Sequence, residues 1–271
     1  MSKLEDLIKD ETEDLDMLYF CHTTRLENFE KIIDSGVLQI KHSHFPPKTI
    51  TEDGNENIVY LFYGIPLFIY KVSSNIMHNS YTNDLPVGLL FKPRTMTPLS
   101  RFYPFDTGAA FNKMYKSFRH DINTSDDIAD YCVNITNDSK PLRQYVKRYF
   151  NSNKNYCCCN PTNTDPQNAW EEELIQLHKT NGQNNELDPR AIAIEIHSKH
   201  DIIINSDNVE AFIIPRFKSK KYNLIDKIQK NYPDINIIKY CDTGRTSPDM
   251  FRQVLIELTI NKYIDLKIIE Q

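Results

Sequence analysis

The chain has 271 residues, 40% of them hydrophobic and 11% aromatic, enough to build a sizeable core in one large domain or two small ones, of which one is expected. A formal net charge of −5 gives no global basic field, so tight, sequence-independent binding to long duplex nucleic acid is not implied, while a local basic groove stays compatible. No apolar run approaches the roughly 20 residues that span a bilayer, and Met1 to Asp16 is charged and helix-prone instead of signal-like. Six cysteines, three adjacent at Cys157 to Cys159, fit neither a secreted disulfide framework nor a repeated Cys-x-x-Cys metal site, so a reduced cytoplasmic setting is the expectation.

Met17 to Phe20 reads as a buried strand that delivers His22 and Thr23 onto a helix. Thr24 with Glu27 matches the S/T-x-x-E capping box and puts the helix start at Arg25. Leu26, Phe29, Ile32 and Ile33 share one helical face, and Gly36 is the left-handed stop before Val37 and Leu38. The positive end of such a helix can hold phosphate oxygens on its N–H groups, with His22 and Thr23 bonding sugar hydroxyls. The alternative is that His22 only satisfies a buried backbone group at a strand end.

His42 to Asn57 reads as a loop long enough to cover a site, Ile58 to Tyr63 as a strand broken at Gly64-Ile-Pro66, Leu67 to Val72 as a second extended run and Ser73 to Asp84 as a polar connection. Val87 to Phe91 is a further strand. Arg101 to Phe111 mixes aromatic residues with a turn signal and predicts an ordered loop packed on the body. Ser125 to Asn151 reads as predominantly helical, capped at Thr124 or Ser125, with an exposed basic tail at Arg143, Lys147 and Arg148; a helical insertion is expected near residues 112–150. Asn151 to Gln167 is loop-like. A helix over Asn168 to Lys179 follows, then strands over Ala191 to His197, Val209 to Ile214 and Ile235 to Tyr240, a helix near Tyr222 to Lys230, and a closing helix from Pro248 to Tyr263. Strands dispersed among helices, without a regular βαβ rhythm or a Gly-rich phosphate loop, predict an α+β mixed sheet over a doubly wound one.

Glu195 interrupts an apolar strand and either points into a cleft or faces solvent on a half-exposed sheet. The cluster Glu171 to Glu173 is a second source of a carboxylate, or a solvated first helical turn where acids suit the dipole. Adjacent cysteines cannot easily all ligate one tetrahedral ion, so no metal site is expected. Asp106 either binds a substrate or makes an Asx-type turn.

On these residues the chain resembles the ADP-ribosyltransferase superfamily. His22, Thr24 and Gly36-Val37 are similar to its first motif, and Glu195, with Ile202 to Ile204 and Val209 to Ile214, looks like the late catalytic strand of the DNA-modifying ADP-ribosyltransferase toxins. Phe62 to Pro66 and Phe105 to Ala109 resemble runs shared by a related family of uncharacterised bacterial proteins, a likeness that would span nearly the whole chain. The resemblance implies a single ADP-ribosyltransferase-like domain over residues 1–271, with mixed or antiparallel central sheets in a split arrangement and flanking helices. It implies NAD as substrate and a nucleic-acid or protein acceptor. It also implies ADP-ribosyl transfer in the setting of a bacterial toxin or antiphage effector. Glu195 is then the catalytic carboxylate, His22, Thr23 and Thr24 bind the adenosine-side ribose or diphosphate, and Tyr63 either stacks on the cationic nicotinamide or is a core aromatic. Arg101, with Arg94 as a rival, binds phosphate, and His22, Tyr63 and Glu195 should line one cleft. Lys113, Lys116, Arg119, Arg143, Lys147 and Arg148 can supply a groove for the acceptor. The rival class is a non-catalytic nucleotide- or protein-binding module on the same fold.

Overall fold

The computed structural model describes residues 2–42, 57–67, 85–93, 99–115, 118, 122, 126–135, 139–179, 188–216, 223–242 and 248–270. The expected cover loop, most of the run to Val72, the polar stretch to Asp84, Arg94, Lys116 and Arg119 fall outside them.

The opening folds as α1 (Lys3–Ile8), β1 (Phe20–Arg25), α2 (Leu26–Ser35) and β2 (Val37–Leu38). Gly36 takes φ 69° at the α2 C-cap and donates to the Ile32 carbonyl, the stop expected from its sequence position. The start differs from expectation. β1 runs on through Thr24 and Arg25, which pair with Val87 and Pro86 of β5 (Pro86–Phe91), so Arg25 becomes the N-cap with no side-chain cap bond. Sheet pairing thus keeps Thr24 extended and the capping box with Glu27 does not form; the Leu26 N–H is satisfied instead by the Leu85 carbonyl at 3.0 Å.

The other strands are β3 (Lys41–His42), β4 (Asn57–Tyr63), β6 (Leu99–Tyr103), β7 (Val133–Asn134), β8 (Glu195–Ser198), β9 (Ile202–Ile203), β10 (Val209–Pro215) and β11 (Asn236–Tyr240). One sheet runs in the order β11-β10-β5-β1-β4-β8-β6-β7, with β3 also on β4, while β2 and β9 form a separate ribbon. Among the described strands only β10 and β11 pair in parallel, so the architecture is a mixed, largely antiparallel α+β sheet with flanking helices. Every residue of β5 is buried, as its place between β1 and β10 requires. On one face, Phe29 of α2 meets Phe212 of β10 edge-on at 5.2 Å. On the other, Leu255 of α8 (Pro248–Asp265) closes over Gly88 of β5.

The remaining helices are α3 (Thr107–Phe111), α4 (Lys140–Phe150), α5 (Asn153–Cys157), α6 (Ala169–His178) and α7 (Leu224–Asn231), with 3-10 turns at Asp126–Tyr131 and Pro189–Ile192. Four sequence expectations are corrected by them, and the first is the loop expected over Asn151 to Gln167, which holds α5 because the Ser152 side chain accepts from Asn155 and caps it. The loop expected over Arg101 to Phe111 is the end of β6 followed by α3, because Arg101 and Phe102 pair with strands on both sides and Asp106 caps the helix. The helical stretch expected from Ser125 holds a 3-10 turn and the edge strand β7, and its α-helix begins only at Lys140 with a proline in the first turn. The strand expected over Ala191 to His197 begins at Glu195, since Pro189 sets a 3-10 turn ahead of it.

The basic tail of α4 is not an open surface. Lys140 and Arg143 bind Glu13 at 2.7 and 3.0 Å, Lys147 binds Asp14 at 3.2 Å, and Arg148 binds Glu11 at 3.0 Å. The acidic segment after α1 lies along these cations, so the acceptor groove drawn from them is already occupied by the chain itself. No helix among the described residues is long and apolar enough to cross a membrane.

Gly64 closes β4 at φ 77°, and a Cβ there would stand 2.7 Å from the Tyr156 ring and 2.8 Å from Leu18. Both the left-handed backbone and the ring oppose a side chain. Gly64→Ala is expected to cost about 1–3 kcal/mol, read as a lowered urea midpoint at unchanged m-value.

Candidate active site around Glu195

Strand register decides which of the sequence-selected residues share a face. Cys21 pairs with Phe62, Phe62 with Glu195, and Glu195 with Tyr103. Directly paired residues point the same way, and the two-residue period adds Thr23, Tyr60, His197 and Arg101 to that face. Phe20 pairs with Tyr63, so Tyr63, His22 and Thr24 belong to the opposite face. The single cleft of His22, Tyr63 and Glu195 is therefore not what the sheet builds. It brings Thr23, Arg101 and Glu195 to one side.

Tyr63 is a core aromatic. It is fully buried, its hydroxyl accepts the Leu18 N–H at 3.1 Å, and its ring centroid lies 6.0 Å from those of Phe20 and Tyr156. Enclosed in this way, it presents no face on which a nicotinamide can stack.

His22 sits half-buried at a split in the sheet. β1 and β4 pair only at Phe20 with Tyr63 and Cys21 with Phe62; beyond that β1 follows β5 and β4 follows β8. Across the opening, His22 Nδ1 meets the Tyr60 carbonyl at 3.0 Å. A carbonyl only accepts, so Nδ1 carries the proton, and burial lowers the His22 pKa and keeps the ring neutral with Nε2 as an acceptor. This is the backbone-satisfying role that its strand position allowed. Thr23, next to it, is 7% exposed and its Oγ1 has no partner, while Thr24 is buried at the strand end.

Glu195 is held at the mouth of β8 with 2% exposure. Its Oε1 accepts the Thr107 hydroxyl at 2.6 Å and lies 2.7 Å from His197 Nε2, and its Oε2 accepts the Thr107 backbone N–H at 3.1 Å. Thr107 is the first residue of α3, whose free N–H groups are shared between Glu195 and Asp106, the latter accepting from Ala109 at 2.9 Å. His197, fully buried, lies between the rings of Tyr60 and Tyr103 at centroid distances of 5.0 and 5.3 Å, and its Nδ1 is 3.2 Å from Arg101 Nε. Arg101, proposed from sequence for a phosphate, is thus placed on His197. The sequence by itself does not join Thr107 or His197 to Glu195; the Glu-x-His spacing within a strand and the Phe-Asp-Thr-Gly run are the signals that carry them.

The alternative carboxylate has a different occupation. Glu171 is fully buried and takes Arg148 at 2.7 and 2.8 Å, the Tyr149 hydroxyl at 3.1 Å and the Gln167 N–H at 2.7 Å. It is neither solvated nor open; it ties α6 to α4. Among the described residues no group of three His, Cys, Asp or Glu is placed to hold a metal ion.

Burial raises Glu195 to about 7, against the opposing pull of the Thr107 bonds and the Arg101 charge. Burial and then the nearby Glu195 charge raise Asp106 to about 7. For an acid, a folded-state pKa above the unfolded value means that the folded state binds the extra proton, so stability falls as pH rises from about 4 to about 7. Asp106→Asn keeps a capping side chain and removes the titration. Its stability relative to wild type is expected to improve with pH across that window, on the order of 1 kcal/mol per pH unit, read from urea midpoints at pH 4.5 and 7.5.

Comparison of the chain with protein-family models, with curated proteins and with solved structures found no match in any of the three.

The site can therefore be read only from its own chemistry. A carboxylate offers about four acceptor positions. Three are used on Glu195, and one on Oε2 remains for a hydroxyl. Above a pH of about 7 the arrangement supplies a fixed negative charge with a free hydrogen-bond acceptor, in surroundings that strengthen electrostatic effects.

Proposed function

We propose that the protein cleaves NAD at the bond between nicotinamide and ribose and transfers the ADP-ribosyl group to a macromolecular acceptor, a nucleic acid or a protein. The observation that carries this reading is the Glu195 carboxylate, fixed by Thr107 and His197 beside the split between β1 and β4, with one acceptor position left on Oε2. As the bond between the sugar C1 and the ring nitrogen breaks, its electron pair leaves with nicotinamide and positive charge develops on the ribose. A fixed carboxylate stabilises that charge and holds a ribose hydroxyl. The acceptor nucleophile then forms the new bond at C1 and gives up its proton. On the Glu195 face, Thr23 supplies an unpartnered hydroxyl toward the same ligand. Bacterial-toxin or antiphage activity in the cytoplasm is the setting consistent with the sequence resemblance.

A second reading is favoured by the depth of Glu195. A carboxyl this buried and bonded can serve as a structural anchor, leaving a module that binds nucleotide without turning it over. Incubation with NAD alone and with single-stranded DNA, RNA or protein separates the two. Nicotinamide release matched by label transfer to one acceptor supports the transferase; saturable NAD binding without release on any acceptor leaves the binding module; absence of both removes NAD as the ligand.

A further inference from the structure

Three buried polar groupings stand out among the described residues: the link from Arg148 to Glu171, the pair of Tyr145 with His178, and the line from Arg101 through His197 to Glu195. The first two tie helices α4 and α6 to each other and reach no open acceptor or donor of the Glu195 face. The third ends on Glu195, whose Oε2 takes a single bond, from the Thr107 N–H.

We propose that His197 is a positioning residue that sets the charge and direction of the Glu195 carboxylate, and that Arg101 in turn fixes the tautomer of His197. The catalytic half of this inference rests on the NAD-cleavage reading. The tautomer follows from donor and acceptor arithmetic. Arg101 Nε only donates, so His197 Nδ1, 3.2 Å away, accepts and carries no proton. The proton of the neutral ring therefore lies on Nε2 and is donated to Glu195 Oε1 at 2.7 Å. Protonating the ring at Nδ1 would set two donors against each other beside a guanidinium. His197 is accordingly a neutral donor rather than a competing acid.

Strand geometry makes the contact rigid. Glu195 and His197 are two apart on one strand and so share its face, and the imidazole cannot swing because Tyr60 and Tyr103 flank it. A donor aimed at Oε1, together with the Thr107 hydroxyl, occupies that oxygen and leaves Oε2 as the one with room for a ligand. The two Thr107 bonds favour the ionised form and oppose the upward push of burial, and the His197 N–H, 2.7 Å from Oε1, acts in the same direction by geometry. The other charged or titratable groups on the Glu195 side are Cys21 on β1, Tyr60 on β4, Arg101 and Tyr103 on β6, Asp106 at the start of α3 and Tyr115 beyond it, with the ion pair of Asp188 and Arg190 behind Asp106.

The test compares His197→Phe, which keeps a ring between Tyr60 and Tyr103 but removes the donor, with His197→Gln, which restores an N–H at the position of Nε2. Two measurements are made on the full chain: the pH dependence of kcat for nicotinamide release, and the titration of the Glu195 carboxyl carbon by NMR. In His197→Phe the carboxyl titration and the acid limb of kcat are both expected to move up by about one pH unit or more, with kcat at neutral pH about tenfold lower and KM for NAD little changed. His197→Gln is expected to return both toward wild type. A Glu195 titration that does not move in His197→Phe overturns the proposal, as does a His197→Gln variant displaced as far as His197→Phe. A wild-type protein that releases no nicotinamide defeats the NAD reading alone, because the carboxyl titration still reports whether His197 governs Glu195.

Discussion

Glu195→Gln is expected to lower nicotinamide release by about two orders of magnitude or more while leaving the sheet folded. The substitution keeps the side-chain volume and removes the charge that the developing positive sugar needs. Its carbonyl oxygen can still take the Thr107 hydroxyl and the His197 N–H, but its amide then faces the Thr107 backbone N–H, donor against donor. A stability cost of about 1–3 kcal/mol follows from that clash of donors, offset in part above pH 7, where the wild type must bury a charge. Nicotinamide release should be followed by chromatography beside a urea titration of the same preparation, with Glu172→Gln, a change on the exposed face of α6, as the unaffected control. Turnover at the wild-type rate in Glu195→Gln would take the carboxylate role away from this position.

The largest stability effect is expected at Arg148→Met. Arg148 and Glu171 bind one another with 9% and 0% side-chain exposure, and Arg148 also reaches Glu11. Deleting the cation leaves a buried carboxylate supported only by Tyr149 and the Gln167 N–H, a loss of about 3–5 kcal/mol, read as a collapse of the urea midpoint. The double variant Arg148→Met with Glu171→Leu should recover a large part of the loss, because no uncompensated charge then remains. Recovery in the double variant distinguishes stranded charge from loss of the arginine's packing.

How much of this architecture the sequence announces depends on how local the cause is. α6 is announced by Asn168, whose side chain accepts from the N–H groups of Trp170 and Glu171, and α2 is closed by Gly36. β5 and β10 are apolar enough to be recognised without knowing their partners. β6 is different. Leu-Ser-Arg-Phe-Tyr carries two polar residues, and it becomes a strand because β8 and β7 bond to both of its edges. The same limit applies to the site. Thr24 and Glu27 satisfy a capping pattern, yet pairing with Val87 outweighs a single cap bond, and the strand then carries His22 to the face away from Glu195, where Phe20 pairs with Tyr63 of β4. Arg101 and Glu195 are recognisable as chemically unusual residues in apolar company. That Thr107 and His197 complete the arrangement depends on long-range register, which no local pattern encodes.

The position of β8 also has a consequence for how the protein comes into being. This strand is inserted between β4 and β6, and the contacts that define Glu195 join residues 88 apart at Thr107, while Arg101 and His197 are 96 apart. During synthesis β4 and β6 therefore leave the ribosome with open edges and wait for a partner made much later, a topology that folds slowly and exposes unpaired strands on the way. A nascent chain stopped before residue 195 would carry all of β1, β4 and β6 and none of the carboxylate. Any activity of Glu195 is thereby delayed until most of the polypeptide exists, so the order of translation itself acts as a timer on the site.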